Sequence, residues 1–216
     1  MKRRKAIKNL GMSMGAIVAT PSILSLLQSC QGTEEVWIPT FYSEEEGKFV
    51  KSLIEVMLPS SGDLPGASEL NLHVFIDKYQ KEVLSVDDKG PHRKTLRLAL
   101  DDLLESSGKE DVFSASDSDY ESLLTKYLSG SYGEQQAMVD EIDDHLDANN
   151  DDPSGLSKPL QTYMFLNDLR SLSVWAYQNN EYVGENILAY KPIPAEQQGC
   201  VDLQATTGGK AWALAW

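Results

Sequence analysis

Ser43-Glu44-Glu45-Glu46-Gly47-Lys48-Phe49-Val50-Lys51-Ser52-Leu53-Ile54-Glu55-Val56-Met57-Leu58-Pro59 is the stretch that decides the fold class. Ser43 followed by Glu46 is a capping box: the hydroxyl accepts from the amide three residues on, and the glutamate reaches back to the cap's own amide. The carboxylates of Glu44, Glu45 and Glu46 also sit where the positive end of a helix dipole stabilises them. Phe49, Val50, Leu53, Ile54, Met57 and Leu58 then recur at helical spacing and define one apolar face. Pro59 lacks the amide a helix needs and stops it.

The same signals continue towards the C-terminus. Ser60-Ser61-Gly62-Asp63-Leu64-Pro65-Gly66 is turn chemistry, and a second helix is predicted from Ser68 with Leu72, Phe75, Ile76, Tyr79 and Val83 on its apolar side. A third is predicted after Gly90-Pro91, with Leu96, Leu100, Leu103 and Leu104 facing inward and Gly108 ending it. Ser116-Asp117-Ser118-Asp119 caps a fourth through Leu128, and Gly133 to Leu146 forms a fifth with a mostly acidic exposed face. Asp147 to Gly155 is a polar break. The last long helix, from about Ser157 to Asn179, carries Leu160, Tyr163, Met164, Phe165, Leu169, Leu172, Trp175 and Ala176. These apolar positions cover more than one face, which marks the central helix of a bundle. Tyr79, Tyr163 and Trp175 are accordingly expected in the core.

Beyond Gly184 come Pro192-Ile193-Pro194, Gly199-Cys200, Gly208-Gly209, Trp212 and Trp216. Fixed-φ prolines and paired glycines oppose a helix there, and an irregular, extended segment is expected. No stretch alternates as a half-buried strand does, and no internal repeat is visible. The predicted fold is all-α: a single helical bundle of about six helices with an extended C-terminal tail. In domain terms, residues 1–29 are read as a signal peptide, 30–42 as a tether, 43–189 as the helical domain and 190–216 as the tail.

The N-terminal reading rests on Lys2, Arg3, Arg4, Lys5 and Lys8, with no acid before Cys30, followed by a moderately apolar run from Leu10 to Leu27. Gly11, Gly15, Pro21 and serines interrupt that run, so a spanning helix is the weaker reading. Arg3-Arg4 followed by Ile7 and Lys8 resembles the twin-arginine export motif, although Ala6 stands where Phe is usual; an ordinary secretory signal is the alternative. Leu27-Gln28-Ser29-Cys30 resembles a lipobox, which makes Cys30 the expected site of acylation and the membrane anchor. Losing residues 1–29 removes five bases and no acid, taking the formal charge from −14 to −19. So acidic a chain repels nucleic acid and anionic lipid. With Cys30 acylated, Cys200 is the one remaining thiol; a Cys30–Cys200 bridge is the alternative if it is not.

Chemical motifs are wanting. No Gly-x-Gly-x-x-Gly turn for a dinucleotide phosphate is present, and the two cysteines cannot form the Cys-x-x-Cys-His of covalent haem. Asp147, Asn149 and Asp151 imitate a calcium loop, but Asp152 replaces its glycine and Lys158 its final glutamate. Asp143, Asp144, His145 and Asp147 read as a solvated helix face, because a zinc site needs three or four converging ligands. His73 and His92 have no nucleophile or paired carboxylate at a telling spacing. No catalytic, cofactor-binding or metal-binding residue is expected in this chain, unless tertiary contacts assemble one.

Several pieces together resemble the small-subunit family of gluconate 2-dehydrogenase. They are the Arg3-Arg4 signal, Val56-Met57-Leu58-Pro59, the Leu64-Pro65-Gly66-Ala67 turn leading to Val74-Phe75-Ile76-Asp77, and the tail Tyr190-Lys191-Pro192-Ile193-Pro194 with Gly199-Cys200-Val201. Ala195-Glu196 departs from the family's glycine-rich continuation. The resemblance implies a non-catalytic, exported partner of a large FAD-containing dehydrogenase subunit, in some complexes with a cytochrome c subunit, needed for the flavoprotein's export and stability. FAD would then sit in the partner. The tail with Pro192, Pro194, Cys200, Trp212 and Trp216 is expected either to pack on the chain's own bundle or to reach that partner in part, Cys200 then through an interchain disulfide. The competing expectation is a stand-alone surface lipoprotein that binds a carbohydrate or another protein.

Overall fold

The computed structural model describes residues 37–191 and 200–213. Helix α1 (Glu44–Met57) forms as its cap dictates: the Glu46 amide donates to Ser43 Oγ at 3.2 Å, and the Ser43 amide donates to Glu46 Oε2 at 2.8 Å. Phe49, Val50 and Leu53 are fully buried and Ile54 nearly so, each stabilising the fold by about 1.5–3 kcal/mol.

The turn after Pro59 depends on one glycine. The amides of Ser61 and Leu64 exchange bonds with each other's carbonyls at 3.0 Å, and the Ala67 amide returns to the Leu58 carbonyl at 2.8 Å. A Cβ at Gly66 would lie 2.6 Å from the Ser60 nitrogen, so only glycine lets the chain pass. Helix α2 (Leu72–Val83) starts four residues later than the Ser68 expected from sequence. Asn71 adopts a left-handed conformation at φ 52, which separates the turns at residues 68–71 from the helix.

Helix α3 (Val86–Ser107) corrects the sequence reading in the other direction, because it runs through Gly90-Pro91 instead of beginning after them. Ser85 is the cap: its Oγ accepts from the Asp88 amide at 3.1 Å and donates to Asp88 Oδ2 at 2.6 Å. Pro91 falls in the second turn, where it forfeits a single bond to the Asp87 carbonyl. Gly108, left-handed at φ 66, ends the helix as predicted.

Helices α4 (Asp117–Leu128) and α5 (Tyr132–Ala148) carry capping boxes from Ser116 with Asp119 and from Ser131 with Glu134. A single 3-10 turn (Pro153–Gly155) leads into α6 (Lys158–Gln178). Helix α6 packs against all five other long helices, which bears out its central place. Its Phe165, Leu166, Leu169 and Ala176 join α1, α2, α3 and α4 in the main core, whereas Tyr163 joins Ile142 of α5 and Leu156 in a smaller one.

No strand forms among the described residues, and the fold is all-α. The segment expected to be extended throughout is not: after a π-helical turn (Val183–Ile187), the chain forms a short helix α7 (Leu203–Thr207), capped by Asp202 and ended by left-handed Gly208. Its far side is stitched back by a parallel bridge, with the Ala189 amide donating to the Ala211 carbonyl at 2.8 Å and the Ala213 amide to the Ala189 carbonyl at 2.9 Å.

Candidate functional site

Asp77, on the inward face of α2, has no solvent-exposed surface. Its Oδ2 accepts from the Thr40 amide at 2.7 Å and the Thr40 hydroxyl at 2.8 Å; its Oδ1 accepts from the amides of Phe41 at 2.9 Å and Tyr42 at 3.1 Å. Burial alone would raise the carboxyl pKa, but these four donors together outweigh it and hold the group below the usual carboxylate range. One carboxylate thus fixes the strap that enters α1.

Helix α3 covers the strap from the other side. The Arg93 guanidinium lies 5.0 Å from the Phe41 ring centroid and donates through Nη2 to the Phe41 carbonyl. The Tyr42 ring meets Phe41 edge-on at 4.9 Å, and Tyr42 Oη lies 3.5 Å from His92 Nε2. Burial, then the charge of Arg93, lowers the His92 pKa to about 4 against an opposing pull from Glu46. Burial, with Asp77 and Glu46 nearby, pushes the Tyr42 phenol far up. Glu46, 2 % exposed, accepts from Arg97 Nε at 2.9 Å through Oε1 while its other oxygen serves the cap. Both oxygens of Asp77 and of Glu46 are therefore engaged, and His92 stays neutral at physiological pH. The cluster holds a chain segment in place.

The second feature lies on the outside. Phe75 and Tyr79 of α2 and Trp175 of α6 form a closed triangle of rings, with centroids 5.8, 5.9 and 5.6 Å apart. The sequence placed all three on apolar faces and Tyr79 and Trp175 in the core. In the structure Phe75 is 42 % exposed, Trp175 36 %, Tyr79 half-buried, and Val83 at the end of α2 is also exposed. Tyr163 alone of the three aromatics expected inside is fully buried. The core is already filled around Ile76 and Ala176, so the neighbouring rings pack on one another at the seam.

Of the residues expected to meet a partner, Cys200 is exposed, carries a free thiol and sits in the left-handed region at φ 53. Trp212 is half exposed and lies on the Ala189 bridge. Arg3, Arg4, Cys30, Pro192, Pro194 and Trp216 lie outside the described residues. Among the described residues no three His, Cys, Asp or Glu side chains converge as metal ligands, and no helix is long and apolar enough to cross a membrane. The acidic run of α5 stays dispersed, with Asp143 and Asp144 exposed and His145 turned against Gly155. An open groove between the end of α1 and α4 is lined by the carboxylates of Glu55, Asp117 and Glu121 and the hydroxyls of Ser60 and Thr125, with no histidine, lysine or cysteine among its lining residues.

These features define an all-helical body that clamps its own entry strap and turns an aromatic seam outward. The chain belongs to the gluconate 2-dehydrogenase subunit 3 family, whose pattern it matches over residues 44–195. No curated protein and no solved structure matches the chain.

Proposed function

We propose that this chain is the non-catalytic accessory subunit of a membrane-associated, FAD-dependent sugar or alcohol dehydrogenase of the gluconate 2-dehydrogenase kind. The observation that carries the reading is the family match, which spans α1 to α6 and the start of the tail. The clamp around Asp77 agrees with it, since its polar groups are consumed in holding the fold. In this reading FAD and the oxidation chemistry belong to the large subunit, with a cytochrome c subunit as a further partner that takes the electrons. Arg3-Arg4 directs the pair out of the cytoplasm, and acylated Cys30 holds it at the envelope membrane facing the periplasm or the surface. Cys200, exposed in an oxidising compartment, is the thiol available for a bond to the partner.

The test is purification of the tagged chain from its native membrane in mild detergent, with an absorbance scan for flavin at about 450 nm. A stoichiometric flavoprotein is the expected result. A pure chain without flavin would point to the stand-alone surface lipoprotein instead.

A further inference from the structure

We propose that the Phe75–Tyr79–Trp175 seam between α2 and α6 is the surface on which the flavin-carrying subunit seats. The inference rests on the accessory-subunit reading and adds to it the place of contact.

Three arguments converge on this face. The first is rigidity: each ring touches the other two, and each helix is anchored one residue further on by Ile76 with no exposure or Ala176 with 4 %. Rings already held lose little freedom when a partner covers them, which is why tryptophan and tyrosine dominate interface energetics. The second is charge. Helix α5 presents Glu134, Asp140, Glu141, Asp143, Asp144 and Asp147 with no lysine or arginine, so covering it would strip water from many like charges. By contrast the exposed charges of α2 are Lys78, Lys81 and Glu82, with Asp77 buried, and the stretch of α6 around Trp175, from Ser171 to Gln178, carries no charge at all. The seam is thus the charge-balanced side of an acidic molecule, and interface centres are depleted in charge.

The third argument is shape, and it selects the occupant. The rings are tilted by 31°, 40° and 53° to one another, so they make a knob and not the single flat platform on which a sugar ring stacks. A membrane is disfavoured by the net negative charge. A protein surface with a matching hollow is the remaining fit, and the family makes this chain one subunit of a dehydrogenase.

The experiment compares three tagged full-length chains purified in mild detergent from the native membrane: wild type, Phe75→Ser with Trp175→Ser, and an α5 control, Glu141→Lys with Asp144→Lys. The readout is flavin absorbance per chain, alongside thermal unfolding of each chain freed from its partner. The seam variant is expected to unfold like wild type and to lose flavin at least about tenfold, the effect of removing about 1.4 kcal/mol of contact, while the control keeps it. If the seam double unfolds early, Phe75→Ser alone is read in its place. Full flavin in the seam variant, or an equal loss in the α5 control, overturns the inference and leaves the accessory reading standing. A wild-type chain that brings down no flavin removes both.

Discussion

Asp77 shows how much one buried side chain can decide. A carboxylate with no exposed surface would be costly to bury alone, yet four donors from Thr40, Phe41 and Tyr42 replace the water it gives up. Asn in its place keeps the shape but turns an NH₂ towards donors at one of the two oxygen positions. Asp77→Asn is therefore expected to lower the unfolding free energy by about 3 kcal/mol, from weakened charge-assisted bonds and an unsatisfied donor, read as a shift in urea midpoint at neutral pH. The pH dependence has a definite sign. The folded pKa lies below the unfolded one, so the carboxylate's stabilisation is complete above about pH 4 and is lost as pH falls through the folded value. In the variant the acid limb of the stability profile should flatten in that window. An unchanged midpoint and an unchanged acid limb would mean that aromatic packing and Arg93 hold the strap without Asp77.

At the scale of elements, α3 is where sequence and structure part most clearly. Gly90-Pro91 carries a strong local stop signal, but Ser85, Asp87 and Asp88 supply a cap and favourable first-turn charges, and four inward residues from Leu96 to Leu103 tie the helix into the core. Tertiary packing and one cap outweigh the single bond that Pro91 omits. This yields a discriminating measurement. The Ser85 hydroxyl caps the observed start of the helix by accepting from the Asp88 amide, so Ser85→Ala should destabilise the protein by about 1 kcal/mol, or about 2–4 °C in melting temperature, if the helix begins there. No loss would mean that the helix begins after Pro91 in solution, as the sequence alone suggested. Two other starts were legible because capping signals and period are local: Ser43 and Ser116 each begin the helix they mark, whereas α5 starts from an unrecognised box of Ser131 with Glu134, just ahead of the Gly133 expected from sequence. The clamp was not, because nothing in the chain near Asp77 says that residues 40–42 will fold over it. Nor was the seam, since helical spacing tells which residues share a face but not how much of that face the neighbouring helices cover. Phe75 and Trp175 follow the period of buried positions and lie just past the edge of the core.

For the whole molecule, the division between the basic segment proposed as a leader and an acidic remainder frames the proposed export route. All five bases of residues 1–29 lie in its first eight positions, whereas the remaining chain carries a formal charge of −19. The leader's apolar run is weak and broken by Gly11, Gly15 and Pro21, which suits a route that accepts folded cargo more than one that threads unfolded chains. In the accessory-subunit reading proposed above the flavin travels in the partner, and the partner's seat proposed on α2 and α6 exists only once the bundle has folded. On that reading the two chains are exported together as one folded complex. The decisive residues are then Arg3 and Arg4, because a planar guanidinium pair recognised through bidentate bonds is not replaced by ammonium groups of equal charge. Arg3→Lys with Arg4→Lys should leave the leader's charge and hydropathy almost unchanged, yet retain both this chain and the flavoprotein in the cytoplasm on cell fractionation. A flavoprotein that still reaches the envelope would separate its export from this chain, and normal export of both would show that the leader works through charge and hydrophobicity alone, as an ordinary secretory signal does.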